Sequence, residues 1–377
     1  MSESLYRELL AGHFRLLRLL PNADVQDLNY SLETGALDTA PAYIALSYTW
    51  SNERGDNTST RAIVVNGKRL EARLNLWALL SSIYAFDGYY VWVDADCICQ
   101  EKVEEGNHQV QSMGAIFKAT TVVIAWLSSG QVQERTHQSE HYWNSHKNIE
   151  AFATRPYWSR LWIVQELLLG QKIIVLSKAT AMEWCEFYDG FVAVYHPQQG
   201  PVRKLMLEFR DTVGISSQNI DYEFIGPRAV VVQVPTAGSL ILARGRAGQE
   251  VQRRPLHKLL LDYHKQQCED RRDKVFALLN LLPEKDRSVI GTILPDYCLT
   301  HEEVVVVALS HLQEFDRRDI TVGWDAHWQG LGVTSREPRA ELLRLALEYE
   351  YLKIANARLE NSRQCVAARR SEEEWTK

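Results

Sequence analysis

The sequence predicts an α/β fold with a mostly parallel sheet and flanking helices, followed by a mainly helical C-terminal region. Three observations predict it. Residues 89–93 (YYVWV) are aromatic and β-branched and turn polar at Asp94 and Asp96, which is typical of a strand buried on both faces of a parallel sheet. Strand-like, helix-like and strand-like segments follow one another over 89–127, which indicates a βαβ unit with a right-handed crossover. Apolar residues recur at helical spacing within 255–315.

Four segments before this central strand carry recognisable patterns. Residues 14–20 (FRLLRLL) alternate apolar pairs with arginine, which fits an edge strand or a short helix. Residues 43–50 (YIALSYTW) form a second β-like run that ends in polar residues. The Asn-Gly pair at 66–67, between two strand-like flanks, predicts a hairpin with a type I′ turn. Asn75 is expected to cap a helix that runs to about Ala85.

Four further elements follow the central strand. Apolar residues at helical spacing over 106–120 predict an amphipathic helix. Residues 121–127 (TVVIAWL) predict another buried strand. Residues 157–169 (YWSRLWIVQELLL) predict a helix that Gly170 closes, and a strand follows at 172–177 (KIIVLS). These flanking elements suggest a sheet built around the central strand.

The second half of the chain first loses its pattern and then becomes helical. Gly-Pro pairs and the stretch GRAG interrupt residues 186–250, so we expect an irregular insertion there. The segments PLHKLLLDYHKQQ and DKVFALLNLL predict amphipathic helices. Thr300 and Glu303 form a capping box for the helix that follows them. A last helix is predicted over 338–359.

Tryptophan placement separates the chain into regions. Eight of the eleven tryptophans lie before residue 185, so the main hydrophobic core should lie in the first half. We predict a first domain over residues 1–185, an irregular insertion or linker over 186–254, and a helical C-terminal region over 255–377.

The composition excludes several classes of protein. The 377 residues carry a formal net charge of −6, which lacks the basic footprint of a nucleic-acid-binding protein. The six cysteines show no tight disulfide framework. Charges interrupt the apolar N-terminal segment, so it is neither a signal peptide nor a membrane span, and no other apolar run reaches membrane length. We therefore predict a cytoplasmic protein with reduced cysteines.

Glu166 is the first candidate for a catalytic residue. On a helical projection it lies between Trp162 and Leu169, on a helix that has no continuous polar face. Burial would raise the pKa of this carboxyl group, and ionisable groups of that kind cluster at functional sites. The alternative is a structural glutamate bonded to a backbone amide or to an arginine such as Arg155 or Arg160.

Two aspartates and two aromatic residues mark the expected carboxyl edge of the sheet, where α/β proteins bind ligands. Asp94 and Asp96 could hold a metal ion, bind ribose hydroxyls or cap the following turn. Asp94 is the better candidate because it ends the apolar run directly. Tyr48 and Trp50 end their own strand near the same edge, where they would stack on a base or a nicotinamide ring unless they belong to the core.

Metal and phosphate motifs are weak in this sequence. Cys97, Cys99 and His108 lack a second pair of ligands at a recognised zinc spacing, so buried free thiols are the expected state. A Cys97 nucleophile with His108 as its base has no further support. The GRAG stretch matches neither a dinucleotide-binding motif nor a P-loop. We predict no metal site and no bound cofactor.

A series of motifs resembles the fungal heterokaryon incompatibility (HET) domain family. They occur in the order typical of that family: RLLRLLP, YIALSYTW, IVVNGKRLEARLNLWALL, VWVDADCICQ, NHQVQSMGAIFKATTVVIAWL and YWSRLWIVQELLL. The segments CEDRRDKVFALLNLLPE and LPDYCLTHEEV resemble the region that commonly follows this domain. The resemblance covers most of 14–185 and 255–312. Ser51 stands where a glycine is usual, Cys99 replaces the asparagine of CINQ, and Gly106 replaces an arginine.

The resemblance also implies an activity. HET domains are similar to TIR domains, which have a flavodoxin-like parallel sheet, and some TIR domains cleave NAD with the glutamate of a Trp-x-x-x-Glu motif. Trp162 and Glu166 match that spacing. By this resemblance, Glu166 would stabilise the ribosyl cation, Asp94 would hold ribose hydroxyls, and Trp50 or Trp162 would stack on a ring. NAD or a related nucleotide would be the substrate of an NAD nucleosidase.

Two classes of function follow from the resemblance. The first is an effector of fungal non-self recognition that triggers regulated cell death by cleaving NAD. The second is a non-catalytic signalling module that acts through self-association or a protein partner, with the same residues serving the core. A polar-lined pocket that contains Glu166 would favour the first class. A Glu166 fully paired with arginine, with no adjoining cavity, would favour the second.

Overall fold

A computed structural model of the protein describes residues 5–20, 28–50, 58–83, 88–127, 149, 152–177, 180–195, 237–248, 253–315, 324–334, 339 and 342. Within these residues the protein has the predicted α/β architecture. It contains a nine-stranded mixed sheet with flanking helices, and its C-terminal region is helical.

The sheet combines parallel and antiparallel strands. Its strands are β1 (His13–Leu19), β2 (Asn29–Ala36), β3 (Tyr43–Ser47), β4 (Thr60–Val65), β5 (Lys68–Arg73), β6 (Tyr90–Trp92), β7 (Val122–Trp126), β8 (Ile173–Ser177) and β9 (Thr180–Glu183). Their spatial order is β5-β4-β2-β1-β6-β3-β7-β8-β9. The strands β6, β3, β7 and β8 are parallel, and β2 is parallel to β4. The other four neighbouring pairs are antiparallel.

The prediction of a mostly parallel sheet is therefore wrong, because four of the eight neighbouring strand pairs are antiparallel. Short connections join β4 to β5 and β8 to β9, and a short connection brings the second strand back antiparallel to the first. The β4–β5 turn has the predicted type I′ character, because Asn66 and Gly67 have φ angles of 50° and 73°. This part of the prediction is confirmed.

The FRLLRLL segment forms a strand, which excludes the predicted helix, but this strand lies inside the sheet and not at its predicted edge position. Strand β1 pairs with β2 on one side and with β6 on the other. The pattern was misleading because Arg15 occupies a core position, where its side chain is only 1% exposed. It pairs there with Glu105, and a paired arginine can replace an apolar residue in a buried strand.

The helices belong to two compact units. The first unit comprises Met1–Gln252 and Lys265–Cys268, and the second comprises Arg253–His264 and Glu269–Lys377. The helices of the first unit are α1 (Leu74–Ser82), α2 (Asp94–Cys97), α3 (Val103–Ala119), α4 (Ile163–Leu169), α5 (Trp184–Tyr195) and α6 (Ala237–Arg244). The helices of the second unit are α7 (Leu256–Asp262), α8 (Asp273–Phe276), α9 (Glu284–Ile290), α10 (His301–Phe315) and α11 (Trp324–Gly330).

Two helices occupy ends of the segment that was expected to be irregular. Helix α5 enters residues 186–250 from one end and α6 lies near the other. Both helices have short apolar runs. The Gly-Pro pairs and glycines of the same segment predict irregular structure, so these runs did not indicate helices. The three-region division of the chain stays a prediction.

Asn75 has a different role from the predicted cap. Helix α1 begins one residue earlier, at Leu74, so Asn75 lies inside its first turn. The Asn75 amide donates to the carbonyl of Thr49 at 2.6 Å and to its hydroxyl at 2.9 Å. The amide oxygen accepts a hydrogen bond from the Trp126 indole at 2.8 Å. Asn75 therefore ties the chain beyond β3 to the end of β7.

The predicted helix over 157–169 is interrupted. A 3₁₀ turn at Pro156–Ser159 comes first, Arg160 is extended, and α4 then begins. The interruption has a tertiary cause, since Gln267 pairs with the backbone on both sides of Arg160 through hydrogen bonds of 2.6 and 2.8 Å. No local pattern in the sequence could reveal a partner so far along the chain.

Gly170 does end α4, but for a reason other than a left-handed cap. Its φ angle is −63°, which any residue can adopt. A Cβ atom at this position would lie 2.5 Å from Cγ2 of Val123. The glycine is therefore required by the close approach of α4 to β7.

The second unit confirms the predicted capping box. The Thr300 N–H donates to Glu303 Oε2 at 2.8 Å, and the Glu303 N–H donates to Thr300 Oγ1 at 3.3 Å, at the start of α10. Helices α7 and α8 are shorter than the predicted amphipathic segments. The predicted helix over 338–359 lies outside the described residues except at positions 339 and 342. None of the described helices has the length and apolar character needed to cross a membrane.

Candidate functional site

The carboxyl ends of β3 and β6 lie side by side, because Ala45 pairs with Trp92 in parallel register. The chain beyond β3 carries Tyr48 and Trp50, and the chain beyond β6 carries Asp94. A hydrogen bond joins the two segments, since Trp50 Nε1 donates to Asp94 Oδ2 at 3.2 Å. The structure thus brings together two of the residues that the sequence analysis selected.

Both carboxylate oxygens of the half-buried Asp94 accept hydrogen bonds. The Ala95 N–H donates to Oδ1 at 2.8 Å, and the Trp50 indole donates to Oδ2. Burial raises the pKa of Asp94, while the Arg160 charge, these two hydrogen bonds and the Arg73 charge act in the opposite direction. Each carboxylate oxygen has a second lone pair, so Asp94 can still accept a hydrogen bond from a ligand hydroxyl.

Glu166 lies in the first turn of α4 and is 4% exposed. Its Oε2 atom is buried and has no hydrogen-bond partner among the described residues. Burial raises the pKa of Glu166 to about 7, while the Arg160 charge and a hydrogen bond from Ser47 reduce that rise and the Asp94 charge adds to it. The carboxyl group therefore gains and loses its proton near neutral pH.

Two buried hydroxyl groups adjoin Glu166. The Ser47 and Tyr157 oxygens are 2.6 Å apart, and neither side chain is more than 1% exposed. Burial raises the pKa of Tyr157, and the Glu166 charge raises it further, so the phenol keeps its proton. Tyr157 can then donate to Ser47, which frees the Ser47 proton for Glu166. The two hydroxyls form a short chain that ends at the carboxyl group.

Two arginines supply the positive charge of the site. Arg160 Nη1 donates to the carbonyl of Tyr48, and its charge lowers the pKa of both carboxyl groups described above. The Arg73 guanidinium lies over the ring of Trp50, with its central carbon 4.3 Å from the ring centroid. The site therefore contains two carboxyl groups, two guanidinium groups and one indole.

The other two predicted ring-binding residues have different surroundings. Tyr48 is 1% exposed, so its ring belongs to the core, and burial raises its pKa well above the usual value. Trp162 is half-buried at the N-terminal end of α4, where its carbonyl accepts the Glu166 N–H at 3.4 Å. Trp50 is the predicted aromatic residue that is bonded directly to Asp94.

Asp96 faces another part of the domain. Its side chain is buried, and one of its oxygens has no partner among the residues that are described. Burial and the Asp94 charge raise the pKa of Asp96 to about 7. Its own charge raises the pKa of Tyr6 and Tyr30, in addition to the effect of their burial. The two aspartates therefore interact through their charges, but Asp94 bonds to Trp50 while Asp96 acts on Tyr6 and Tyr30.

The cysteine and histidine candidates lie outside this arrangement. In the described part of the chain, no group of three or more His, Cys, Asp and Glu residues could hold a metal ion. Cys97 and Cys99 are free and buried, and burial raises the pKa of Cys97 to about 12, which opposes formation of a nucleophilic thiolate. His108 Nε2 accepts a hydrogen bond from the Gly12 N–H at 3.3 Å.

Two of the three departures from the family pattern can be located. The Cys99 N–H donates to Glu105 Oε1 at 2.7 Å, next to the Arg15 pair. Gly106 lies on α3, and no atom lies within 4 Å of the position that its Cβ would take. Ser51 lies outside the described residues.

A cavity of about 510 Å³ lies elsewhere in the first unit. Its lining residues come from the N-terminal segment, β1, β2 and the β4–β5 hairpin: Leu5, Arg7, Glu8, Arg15, Leu32, Thr34, Asn66 and Lys68. Neither Glu166 nor Asp94 lines it. This cavity therefore does not identify the candidate site, which rests on the chemistry of its side chains.

Sequence reasoning missed three of the residues that build the site. Arg73 and the Ser47–Tyr157 pair carry no motif, and they meet only through strand register and the turn before α4. Arg160 was considered only as a partner of Glu166. One signal was available for Ser47, because a polar residue at the carboxyl end of a buried parallel strand is at a position where ligands bind.

Together the fold and the site define an α/β domain with paired carboxyl groups at the carboxyl edge of its parallel strands. Residues 43–166 match the family model described as heterokaryon incompatibility protein (HET). This match begins at the first residue of β3 and ends at Glu166. Residues 43–166 of this chain are therefore a HET domain, which confirms the resemblance read from its motifs.

A curated relative shows how far the similarity extends. Heterokaryon incompatibility protein 6, OR allele, of Neurospora crassa is 33% identical over 130 residues. The match covers 30% of this chain and 18% of the relative, so the chain matches less than a fifth of the length of that protein. No solved structure matches the chain.

Proposed function

We propose that this chain acts as a heterokaryon-incompatibility-type protein of fungal non-self recognition. In this proposal its HET domain triggers regulated cell death by cleaving NAD at the nicotinamide–ribose bond. The HET match over 43–166 and the Neurospora relative support the biological role. The spatial order of the parallel strands supports the likeness to TIR domains. In space the parallel strands follow the order β6-β3-β7-β8. If they are numbered by their order in the chain, this is 2-1-3-4, which is the strand order of flavodoxin-like sheets.

The observation that carries the catalytic proposal is the state of Glu166. It is a buried carboxyl group with a pKa of about 7 and one unpartnered oxygen, at the edge of the sheet where Asp94 and Trp50 also lie. A buried polar atom without a partner is uncommon in a folded protein and is costly unless a ligand uses it. Perturbed carboxyl groups of this kind are concentrated at active sites.

The chemistry fits the residues present. The bond between nicotinamide and ribose breaks with both electrons going to the ring nitrogen, which becomes neutral, and the ribose C1′ becomes an oxocarbenium-like cation. The Glu166 carboxylate would stabilise that cation, Asp94 would hold the ribose hydroxyls, and Trp50 or Trp162 would stack on a ring. Water then attacks C1′ and releases one proton, which Glu166 can accept because its pKa lies near neutral pH.

The experiment measures NAD loss and nicotinamide release by the purified chain over a wide range of protein concentrations. We expect turnover by the wild type and loss of turnover in Glu166→Ala and Glu166→Gln. Asp96→Asn is the matched control, because Asp96 is also buried with a pKa of about 7, but its charge raises the pKa of Tyr6 and Tyr30 and is not among those that act on Glu166. Folding of each variant is checked by circular dichroism. Wild-type protein that is inert at every concentration would remove the catalytic proposal.

A second candidate is a non-catalytic module that acts through self-association or a partner. The observation that favours it is the low exposure of Glu166, with Arg160 and Ser47 both acting on its carboxyl group. In that case the residues serve the core. Expression of a folded Glu166→Gln protein in fungal cells separates the two candidates. Cell death that persists without NAD loss would support the module, and loss of both would support the enzyme.

A further inference from the structure

The guanidinium group of Arg73 has a buried nitrogen atom without a hydrogen-bond acceptor in the described part of the chain. The residue ends β5, and its half-buried side chain lies over the ring of Trp50. Its Nη1 atom is buried and has no hydrogen-bond partner within the described part of the chain. A buried N–H group without an acceptor is unfavourable, and in native proteins such a group usually meets a ligand or a water molecule.

The neighbours of Arg73 are those of the candidate site. Arg73 contacts the face of the Trp50 ring, while Asp94 accepts a hydrogen bond from Nε1 at the edge of the same ring. The two charged groups are thus separated by one indole. Each Asp94 oxygen accepts one hydrogen bond, from Trp50 or from the Ala95 N–H, and keeps a second lone pair. A ligand whose anionic group met the Arg73 guanidinium would therefore find hydroxyl acceptors on the other side of the indole, at Asp94.

We infer that Arg73 binds a phosphate group of the substrate, so the site selects phosphorylated ribosides over the corresponding nucleosides. This inference rests on the proposed function, because it assumes that Asp94 holds the hydroxyls of a ribose. A guanidinium group matches phosphate oxygens through paired hydrogen bonds. A ribose 5′-phosphate carries its phosphate and its hydroxyls on opposite sides of one small ring. That spacing suits a site in which one indole separates Arg73, which would donate hydrogen bonds to the phosphate, from Asp94, which would accept them from the hydroxyls.

The chain offers a matched control for Arg73. Arg61 also lies over an indole, with its guanidinium carbon 3.7 Å from the centroid of Trp77. Arg61 is exposed, whereas Arg73 is half-buried and its charge lowers the pKa of Asp94. Replacing either arginine removes one arginine–tryptophan contact and one positive charge. Only the change at Arg73 should affect a ligand at the candidate site.

The test uses two probes that differ by a single phosphate, nicotinamide mononucleotide and nicotinamide riboside. Both are titrated by calorimetry into the 377-residue chain, and nicotinamide release is followed in the same samples. We expect the wild type to bind the mononucleotide about 10- to 100-fold more tightly, the usual contribution of a charge-assisted hydrogen bond. Arg73→Gln should abolish the preference, Arg73→Lys should keep part of it, and Arg61→Gln should keep all of it.

Several results would overturn the inference. Wild-type protein that binds both probes equally, or binds neither, would contradict it. An Arg73→Gln protein that is folded and keeps the preference would contradict it as well. The outcome for the proposed function is separate. A phosphate preference that depends on Arg73 without any nicotinamide release would remove the NAD-cleavage proposal alone, while cleavage without such a preference would remove this inference alone.

Discussion

Glu105 and Glu166 are two buried glutamates of the same unit with opposite electrostatic states. Glu105 forms a two-pronged ion pair with Arg15, at 2.5 and 3.0 Å, and it also accepts the Cys99 N–H. Burial raises the pKa of Glu105, but these hydrogen bonds and the Arg15 charge outweigh burial and leave it below the usual value. For Glu166, burial prevails, and the pKa rises to about 7.

The difference shows that burial alone does not identify a functional carboxyl group. The acceptors of Glu105 are bonded to protein donors, so Glu105 links α3 to β1 and has little capacity left for a ligand. Glu166 keeps an unpartnered oxygen at the edge of the parallel strands. A buried glutamate that stabilises the fold and one that binds a ligand therefore need different surroundings. Substitution of Glu105 should mainly lower stability, whereas substitution of Glu166 should mainly affect the proposed activity and the pH dependence of stability.

The largest expected effect is on the paired glutamate. Glu105→Gln leaves the buried Arg15 charge without its counter-charge, and removing one partner of a buried pair costs about 3 to 5 kcal/mol. We expect a clear fall in the urea midpoint of unfolding. Glu33→Gln is the control, because Glu33 pairs with Arg18 at 4.0 Å on the surface and should change stability by less than about 1 kcal/mol. Equal effects of the two substitutions would contradict the comparison.

The second effect concerns the dependence of stability on pH. The pKa of Glu166 is about 7 in the folded protein, against 4.5 for an ordinary glutamate, so the folded state binds the proton more tightly than the unfolded state. Its contribution is present below pH 4.5 and is lost as the pH rises to about 7. The loss amounts to roughly 3 kcal/mol.

Glu166→Gln removes this term, so the variant should lose less stability than the wild type between pH 5 and pH 8. Unfolding in urea at a series of pH values measures the difference. Asp96 and Asp94 also have raised pKa values and contribute in the same direction, so the wild-type slope should shrink without disappearing. Identical pH profiles for wild type and variant would show that Glu166 is not the perturbed group.

The third effect concerns the contribution of Ser47 to the pKa of Glu166. Ser47→Ala removes the hydroxyl that lowers the pKa of Glu166, so that pKa should rise further. The acidic limb of the pH profile of the proposed NAD cleavage should move to higher pH. Stability should fall by about 1 kcal/mol, the typical value of one buried hydrogen bond. Tyr157→Phe is the companion variant, since it removes the partner of Ser47 but leaves the serine hydroxyl in place.

If Tyr157→Phe shifts the profile in the same direction but by less, the two hydroxyls act as a chain. A profile that is unchanged in Ser47→Ala would contradict the role given to Ser47.

The smallest effect is expected in the second unit, where no candidate site is involved. Thr300→Ala removes one side of the capping box at the start of α10, which should cost about 1 kcal/mol. The NAD cleavage proposed for the HET domain should be unchanged. Thermal unfolding and turnover, measured on the same preparation, test both expectations. A loss of activity would show that the comparison of the two glutamates omits a contribution from the second unit.

Much of the site was predictable because its residues end recognisable strands. Asp94 follows an apolar run directly, and Trp50 follows another, so neighbouring parallel strands were expected to bring them together. The burial of Glu166 followed from the apolar surroundings of its helix. Arg73 could not be predicted, because it ends β5 and its contact with Trp50 joins two segments that no local pattern relates. Tyr157 reaches Ser47 only because the turn before α4 is not helical.

The sequence by itself determined the local elements of this protein. The strands β3, β6 and β7, the Asn-Gly hairpin and the capping box at Thr300 depend on residues that are close together in the chain. Apolar period, turn geometry and capping are short-range effects, so they can be read from a few neighbouring positions.

The tertiary structure alone decided three other features. It placed β1 inside the sheet, interrupted the helix at Arg160 through Gln267, and left Glu166 rather than Glu105 with an unpartnered oxygen. Each depends on strand pairing or on hydrogen bonds with residues that are tens of positions away in the chain. A carboxyl group has the same intrinsic chemistry at both positions, and its pKa is set by the donors that the fold brings to it.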